Sequence, residues 1–496
     1  MRHRTAAHSP SHTRSREVHR LRASPAGVAA LLSVAFLAHG PAASVARAQE
    51  PPSIVLIMTD DQRWDTLPLL PTITSELVQK GIQFNGGFVV APLCSPGRAG
   101  FLSGQYPHHN DVWRNMPPHG GFDSFVDTQS LAVWLQSAGY TTSLIGKYFN
   151  GYPGGSQYVP PGWNYWLAFT GEPGYYDYTL NRNGIEESHG SQVADYSTDV
   201  LRDEAAAWIR NTSGPIFLDF TPYAPHLPTI PADRHMNDFD TLPPFRPPSY
   251  NEDDVSDKPA WLQAVPQLTP DDIAALDEFR KDSLRTLLAV DEAVGSILTA
   301  LSDSGRLANT MIVFTSDNGY SWGEHRWQTK IAPYEEDIRI PLVIRYDPYT
   351  QTPRQENRTA LNIDIAPTFL ELAGAPLPPG FPIDGVSLMP LIRGGEYPQW
   401  RTEFIFELLT LPLATRPDAD PPPIPTYCGV RRATAGRSTI RQDFYSKYSP
   451  SGDEELYDIA LDPYQLESKV TDPNYSNRLT TMRGLWDALC PPPPEP

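Results

Sequence analysis

Two apolar runs constrain this chain most, because each ends in a pair of oxygen-bearing side chains. Residues 53–58 (Ser-Ile-Val-Leu-Ile-Met) show no polar alternation after the leading serine, and Thr59-Asp60-Asp61 follow at once. Such a continuous run predicts a parallel strand buried on both faces. Residues 310–315 form a second run and deliver Ser316-Asp317-Asn318-Gly319. Carboxylates just past the C-terminal ends of such strands stand where open α/β sheets bind their ligands. Asp60, Asp61, Asp317 and Asn318 are therefore four hard oxygen donors, a set that suits Ca²⁺, or Mg²⁺, better than zinc. One pair alone reads more often as a solvated turn or cap; two pairs at equivalent strand ends favour a metal.

The remaining pattern repeats strand and helix. A helix over residues 72–80 is expected to end at Gly81 as its C′ residue, and another over 127–138 to close at Gly139. A strand over 141–145 runs into Gly146-Lys147-Tyr148. Ser197 is expected to cap a helix reaching Arg210, and the strand at 215–220 exits into Tyr223-Ala224-Pro225-His226-Leu227-Pro228. Thr269-Pro270-Asp271-Asp272 opens a helix with a capping hydroxyl, proline and first-turn acids, and its apolar stripe runs from Leu284 to Leu301 before Gly305. A strand at 340–345 and a helix near 364–372 complete the series, which implies a large, mostly parallel sheet flanked by helices. The Gly-, Pro- and Tyr-rich residues 151–178 and the Pro- and Asp-rich residues 231–266 read as surface loops. From Trp400 onward short runs at 403–407, 427–431, 438–445 and 455–457 suggest a smaller antiparallel sheet with a terminal helix, 477–489. A proline-rich insertion at 412–425 interrupts it, and the tail 491–496 reads as disordered.

Residues 1–48 read as a signal peptide: a basic leader, an apolar run at 28–37, and Ala46-Arg47-Ala48 as cleavage site. That run is short for a bilayer span, so the expectation is a secreted or periplasmic protein without stable membrane insertion, an uncleaved anchor being the alternative. A formal net charge of −19 argues against nucleic acid as a partner. Any anionic substrate would need a small, focused group of cations. Cys94, Cys428 and Cys490 suit an exported chain as one disulfide plus one thiol. The simplest pairing joins Cys428 to Cys490 and leaves Cys94 free.

Cys94 lies in Cys94-Ser95-Pro96-Gly97-Arg98, with Leu102-Ser103-Gly104 behind it, where a loop turns into a helix near Gly97. Alone, this reads as a buried thiol. Cys-x-Pro-x-Arg with the Leu-Ser-Gly tail resembles the signature of the type I, formylglycine-dependent sulfatases. Further similar segments are Ile145-Gly146-Lys147-Tyr148, Ala224-Pro225-His226, the run from Gly323 to Lys330, Tyr334-Glu335-Glu336 and Arg339-Ile340-Pro341-Leu342. The resemblance spans Ile54 to about Pro463 and implies an alkaline-phosphatase-like fold, with a catalytic domain at 51–399 and a C-terminal α+β subdomain at 400–490. It implies that a formylglycine-generating enzyme oxidises Cys94 to formylglycine (3-oxoalanine). It further implies that Asp60, Asp61, Asp317 and Asn318, with residue 94 as a further ligand, hold Ca²⁺, and that Arg98 positions the nucleophile. Lys147, Lys330 and His226 would face the sulfate of a sulfated small molecule or glycan.

One departure matters. Many members carry Gly-Lys-Trp-His, whose histidine helps regenerate the aldehyde, whereas Lys147 is followed by Tyr148-Phe149-Asn150. His226 or Asp317 would have to serve instead. Gly-Lys-Tyr-x-Asn resembles the branch of N-acetylglucosamine-6-sulfatases and their extracellular glycan-acting relatives, as do the segments from Tyr427 to Arg431 and from Glu455 to Asp458. His108 and His109 are further candidates for the pocket lining. Two other readings share parts of the pattern: a phosphodiesterase or phosphonate monoester hydrolase on the same scaffold, and a calcium-dependent glycan-binding protein whose Cys94 stays a thiol.

Overall fold

The strand Ser53–Thr59 is buried along its whole length in the computed structural model. The structure describes residues 51–155, 157–377, 379–395, 399–410, 424–435 and 440–494. The segment read as a signal peptide and most of the 412–425 insertion lie outside these residues. Ser53–Thr59 pairs in parallel with Thr310–Ser316 on one side and Ile216–Thr221 on the other. Thr141–Gly146 and Tyr165–Thr170 extend the parallel centre. Antiparallel strands finish one edge, and Leu342–Arg345, Ile82–Phe84 and Arg354–Glu356 finish the other, giving ten strands. The register sets Thr59 opposite Ser316, so the two donor pairs leave the sheet side by side.

Alternation along the central strand feeds two cores. Ile54, Leu56 and Met58 pack with Ala99, Leu131 and Phe369 from helices on one face. Val55 and Ile57 pack with Ala205, Ile209, Leu287 and Val290 from helices on the other. Each such fully buried side chain stabilises the fold by about 1.5–3 kcal/mol. The helix Pro270–Asp303 starts as its sequence dictates: Thr269 Oγ1 accepts from the Asp272 amide at 3.2 Å, and Asp272 Oδ2 accepts from the Thr269 amide at 2.8 Å. The smaller sheet is Glu403–Leu408, Thr426–Ala435, Ile440–Ser449 and Glu454–Asp458, all antiparallel, with the helix Ser476–Leu489 packed on it and Cys428 bonded to Cys490. Its aromatics Phe404, Phe406, Phe444 and Tyr457 share a core with Phe88, Val90, Trp261 and Tyr334. Among the described residues no helix is long and apolar enough to cross a membrane.

Several expectations need correction. Leu342–Arg345 runs antiparallel to Thr310–Ser316. The connection between the two strands carries only the one-turn helix Glu335–Ile338 and no long crossover helix. Residues 72–80 form a π turn, Ile73–Leu77, and a 3-10 turn, Val78–Lys80. Gly81 has φ −137° and is needed for close approach, not for a left-handed cap, since a Cβ there would lie 2.5 Å from the Leu77 carbonyl oxygen. Tyr196 occupies the cap position, and Ser197 is the first helical residue of Ser197–Asn211. The loop expected at 151–178 contains the strand Tyr165–Thr170, whose apolar run is framed by glycine and proline. Within 231–266, Trp261, Leu262 and Val265 are buried under the smaller sheet. Of the tail, Pro491 to Pro493 line a cavity beside Trp486.

Candidate active site

The helix Cys94–Ser103 begins at Cys94 itself, not near Gly97, with Leu93 as its extended N-cap. It is buried throughout and lies against the exit of Thr310–Ser316. Gly97 permits that contact: a Cβ there would sit 2.2 Å from the Asp317 carbonyl oxygen. Neighbouring side chains in a strand face opposite ways, yet Asp60 and Asp61 enter one cluster. Asp61 achieves this with φ 71°, in the left-handed region that aspartate tolerates.

Asp60, Asp61 and Asp317 offer carboxylate oxygens within 4.8 Å of one another. Each has a cationic partner. Lys147 Nζ bonds to Asp60 Oδ2, Lys330 Nζ donates to Asp61 Oδ1 at 2.6 Å, and Arg98 Nε donates to Asp317 Oδ2 at 2.9 Å. Arg98 also reaches Asp60 Oδ2 at 3.3 Å and donates to the Lys147 carbonyl at 2.8 Å, tying three strand exits together. Asn318 Nδ2 donates to Asp61 Oδ1 at 2.7 Å, while its Oδ1 is buried with no partner among the described residues. That orphaned oxygen, beside three buried carboxylates, is what a hard-cation site requires of its donor set.

Cys94 Sγ lies 2.9 Å from Lys330 Nζ and 3.5 Å from Asp60 Oδ1. Burial, then Asp60, pushes its thiol up to about 12 against the opposing pull of Lys147 and Lys330, so it is not a thiolate at neutral pH. Burial also acts on Asp60, but Lys147, His226, Arg98 and Lys330 outweigh it and hold the carboxyl below the usual range. Asp317 is pushed up to about 6 by burial and then by Asp60. Burial opposes the charged form of Lys330, yet Asp61 and then Cys94 raise it well above the ordinary lysine value. Burial lowers His226 despite Asp61 and Asp60.

His226 Nδ1 lies 2.7 Å from the Leu227 carbonyl oxygen, which can only accept, so Nδ1 carries the proton. Its Nε2 is left with a lone pair, 3.7 Å from Asp61 Oδ2. Cys94 is fully enclosed, whereas the side chains of Lys330 and His226 are 12% and 25% exposed. The site therefore opens past these two groups.

Nine sequence-derived candidates, Asp60, Asp61, Cys94, Arg98, Lys147, His226, Asp317, Asn318 and Lys330, enter this one cluster. His108 and His109 do not: they bond Glu407 and Asp384 at 2.7 and 2.9 Å. Sequence reasoning missed Tyr223, whose ring lies 5.7 Å from Lys147 Nζ and 4.8 Å from the His226 ring. It also missed the supports of Ser95, where Asn115 Oδ1 accepts from the amide at 2.9 Å and Asn150 Oδ1 accepts from the hydroxyl at 3.0 Å. Only the spacing Tyr-Ala-Pro-His and the Lys-x-x-Asn variant hinted at them. Phe149, in the stretch where other members place a histidine, is buried against Phe125.

A family model described as Sulfatase matches residues 52–375. The N-acetylglucosamine-6-sulfatase of Capra hircus is 30% identical over 469 residues, covering 88% of this chain and 83% of that protein. The extracellular sulfatase SULF-1 homolog of Drosophila melanogaster is 34% identical over 352 residues, 69% of this chain, and the match spans about a third (31%) of that longer relative. A solved structure of a protein in complex with its substrate, D-glucosamine-2-N,6-O-disulfate, matches with a TM-score of 0.75 over 89% of this chain and 97% of that one, at 24% identity, a likeness of the alkaline-phosphatase-like fold. With its donor pairs, cysteine and cations gathered at the exits of such a sheet, the chain belongs to the sulfatases, a family of sulfuric ester hydrolases, in the N-acetylglucosamine-6-sulfatase-like branch.

Proposed function

We propose that this protein hydrolyses a sulfate ester borne on a sugar, with position 94 as formylglycine and Ca²⁺ held by Asp60, Asp61, Asp317 and Asn318. The observation that carries this reading is the place of residue 94, at a helix start between Lys330 and Asp60 in a buried group of three carboxylates and three cations. The sugar class rests on the names of the relatives above. When present as its hydrate, formylglycine supplies a hydroxyl nucleophile, a chemistry that a protonated thiol lacks. A bound divalent cation supplies Lewis-acid polarisation of an oxyanion.

The chain's own residues do the rest. Lys147 and Lys330, kept charged by Asp60 and Asp61, neutralise sulfate oxygens in a largely buried site. Arg98 fixes Asp317 and the strand exit carrying Lys147, so the clamp is assembled before substrate arrives. His226 Nε2, at the mouth, takes the proton that the nucleophile loses and returns it to the leaving alcohol oxygen. The pH-neutral lone pair on that nitrogen serves the first transfer, and the absence of a histidine near Phe149 leaves His226 as the imidazole of the described cluster. Export, with a formylglycine-generating enzyme acting during maturation, belongs to the same reading.

The test is protein co-produced with a formylglycine-generating enzyme and assayed on N-acetylglucosamine-6-sulfate. Aldehyde at position 94 by peptide mass spectrometry and sulfate release that vanishes in Cys94→Ala are expected. A fully active Cys94→Ala protein would overturn the proposal.

A further inference from the structure

Away from the Cys94 site, a cleft of about 770 Å³ opens between the strand-exit loops and the smaller sheet. None of Cys94, Lys147, His226 and Lys330 lines it. Four guanidinium groups do, from Arg63, Arg246, Arg339 and Arg431, in a chain whose net charge is −19. Three of them have carboxylate partners: Arg63 has Asp65 and Glu324 at 2.9 and 2.8 Å, Arg246 has Asp277 at 2.6 Å, and Arg431 has Glu335 at 2.7 Å. Arg339 has no ion pair among the described residues. Its Nη2 donates to the Asn85 carbonyl at 2.6 Å, and its guanidinium lies 4.9 Å from the Trp64 ring centroid.

Arg431 adds a second unmet group. It is 4% exposed, its Nε and Nη2 are bonded to Glu335 and Gln442, and its Nη1 is buried without a partner. Its face lies over the Phe88 ring at 5.6 Å. With their faces against aromatic rings, both guanidinium groups have N–H edges left to donate, and such edges match the planar fork of an oxyanion. Glu336 also lines the cleft, 6% exposed, with Oε2 unpartnered. Burial, then Glu324, pushes its carboxyl well above the usual range.

We propose that this cleft is a second ligand site, for an acidic saccharide unit whose carboxylate or sulfate group is held by Arg339 and Arg431. The volume exceeds what a bare ion needs and falls within the range of small-molecule sites. The anion reading rests on the cleft, the saccharide class rests on the function proposed above, and neither draws on the chemistry at position 94.

Glucuronate, inorganic sulfate and uncharged glucose are titrated separately into the whole protein by calorimetry. An acidic probe is expected to bind, with the affinity of that event lowered at least tenfold by Arg339→Gln, while any sulfate held at the Lys330 site registers as a separate event that Arg339→Gln leaves in place; whichever of glucuronate and sulfate behaves so identifies the group read. In the wild-type protein the same probe is expected to slow amide hydrogen exchange over residues 335–339, a measurement that does not depend on a variant folding. Binding of glucose as strong as that of the acids, binding unaffected by Arg339→Gln in a folded variant, or no protection of residues 335–339 by either acid overturns the proposal.

Discussion

Lys330 Nζ stands between Asp61 Oδ1 at 2.6 Å and Cys94 Sγ at 2.9 Å, so one ammonium group serves a buried carboxylate and the reacting position at once. Lys330→Ala is expected to lower kcat by about 10²–10³-fold, the usual loss for one charge-stabilising donor in a dry site, measured as sulfate release at saturating substrate. Lys330→Arg is not expected to restore turnover, because a planar fork cannot replace a compact point charge between two partners. The residue types of the cluster were legible in the sequence. Their pairing was not: nothing in Gly323 to Lys330 says that Lys330 meets Asp61, 269 positions away. Asn115 and Asn150 were silent for the same reason, since an asparagine that supports a neighbouring backbone looks like any loop asparagine until the loop is folded.

At the scale of elements, close backbone approach does what side-chain pattern cannot. Gly97 and Gly146 each stand where a Cβ would fall 2.2 and 2.0 Å from the carbonyl oxygens of Asp317 and Thr221. Gly146 also has φ 129°, a region that disfavours any side chain. Gly97→Ala is expected to push the helix carrying residue 94 off the Asp317 exit. The expected cost is about 1–3 kcal/mol of stability, as for overpacking, read by denaturant unfolding, with turnover falling further than stability does. Long elements with their own punctuation, such as Pro270–Asp303 with its capping box, were readable from sequence. Tyr165–Thr170 was not, because its framing by Gly and Pro resembled a loop, and the direction of Leu342–Arg345 shows only in its antiparallel pairing with Thr310–Ser316.

Across the whole molecule, the smaller sheet reaches back to the helix end of the signature through His108 and Glu407, 299 positions apart and 2.7 Å in contact. Burial opposes the imidazolium, but Glu407 raises His108 above its ordinary value, and burial raises Glu407. Both groups bind protons more tightly in the native state, so stability falls as pH rises. The His108 contribution is fully present below about pH 6.5, the unfolded value, and is lost as pH passes the higher folded value. The gap in Tm between wild type and His108→Gln is accordingly expected to be larger at pH 6 than at pH 8. A second whole-molecule outcome follows from the three clustered carboxylates, of which Asp317 is pushed up to about 6 by burial and by Asp60. A divalent cation relieves that repulsion. Chelation is therefore expected to lower Tm and stop turnover, with Ca²⁺ restoring both; at a hundredfold excess over Kd the stabilisation is about 2.7 kcal/mol.

Local chemistry carried much of this protein's character into view: buried strands from continuous apolar runs, oxygen donors at their exits, a capped helix, and one thiol left over after Cys428 meets Cys490. These depend on residue type and short spacing, which a chain displays before it folds. Which lysine meets which carboxylate, that Cys94 is fully enclosed with its proton held to about 12, and that His108 turns to Glu407 came from register and burial. So did the cleft that leaves Arg339 without a carboxylate. Desolvation and pairing act only between groups that packing brings together, so no stretch of the sequence expresses them alone.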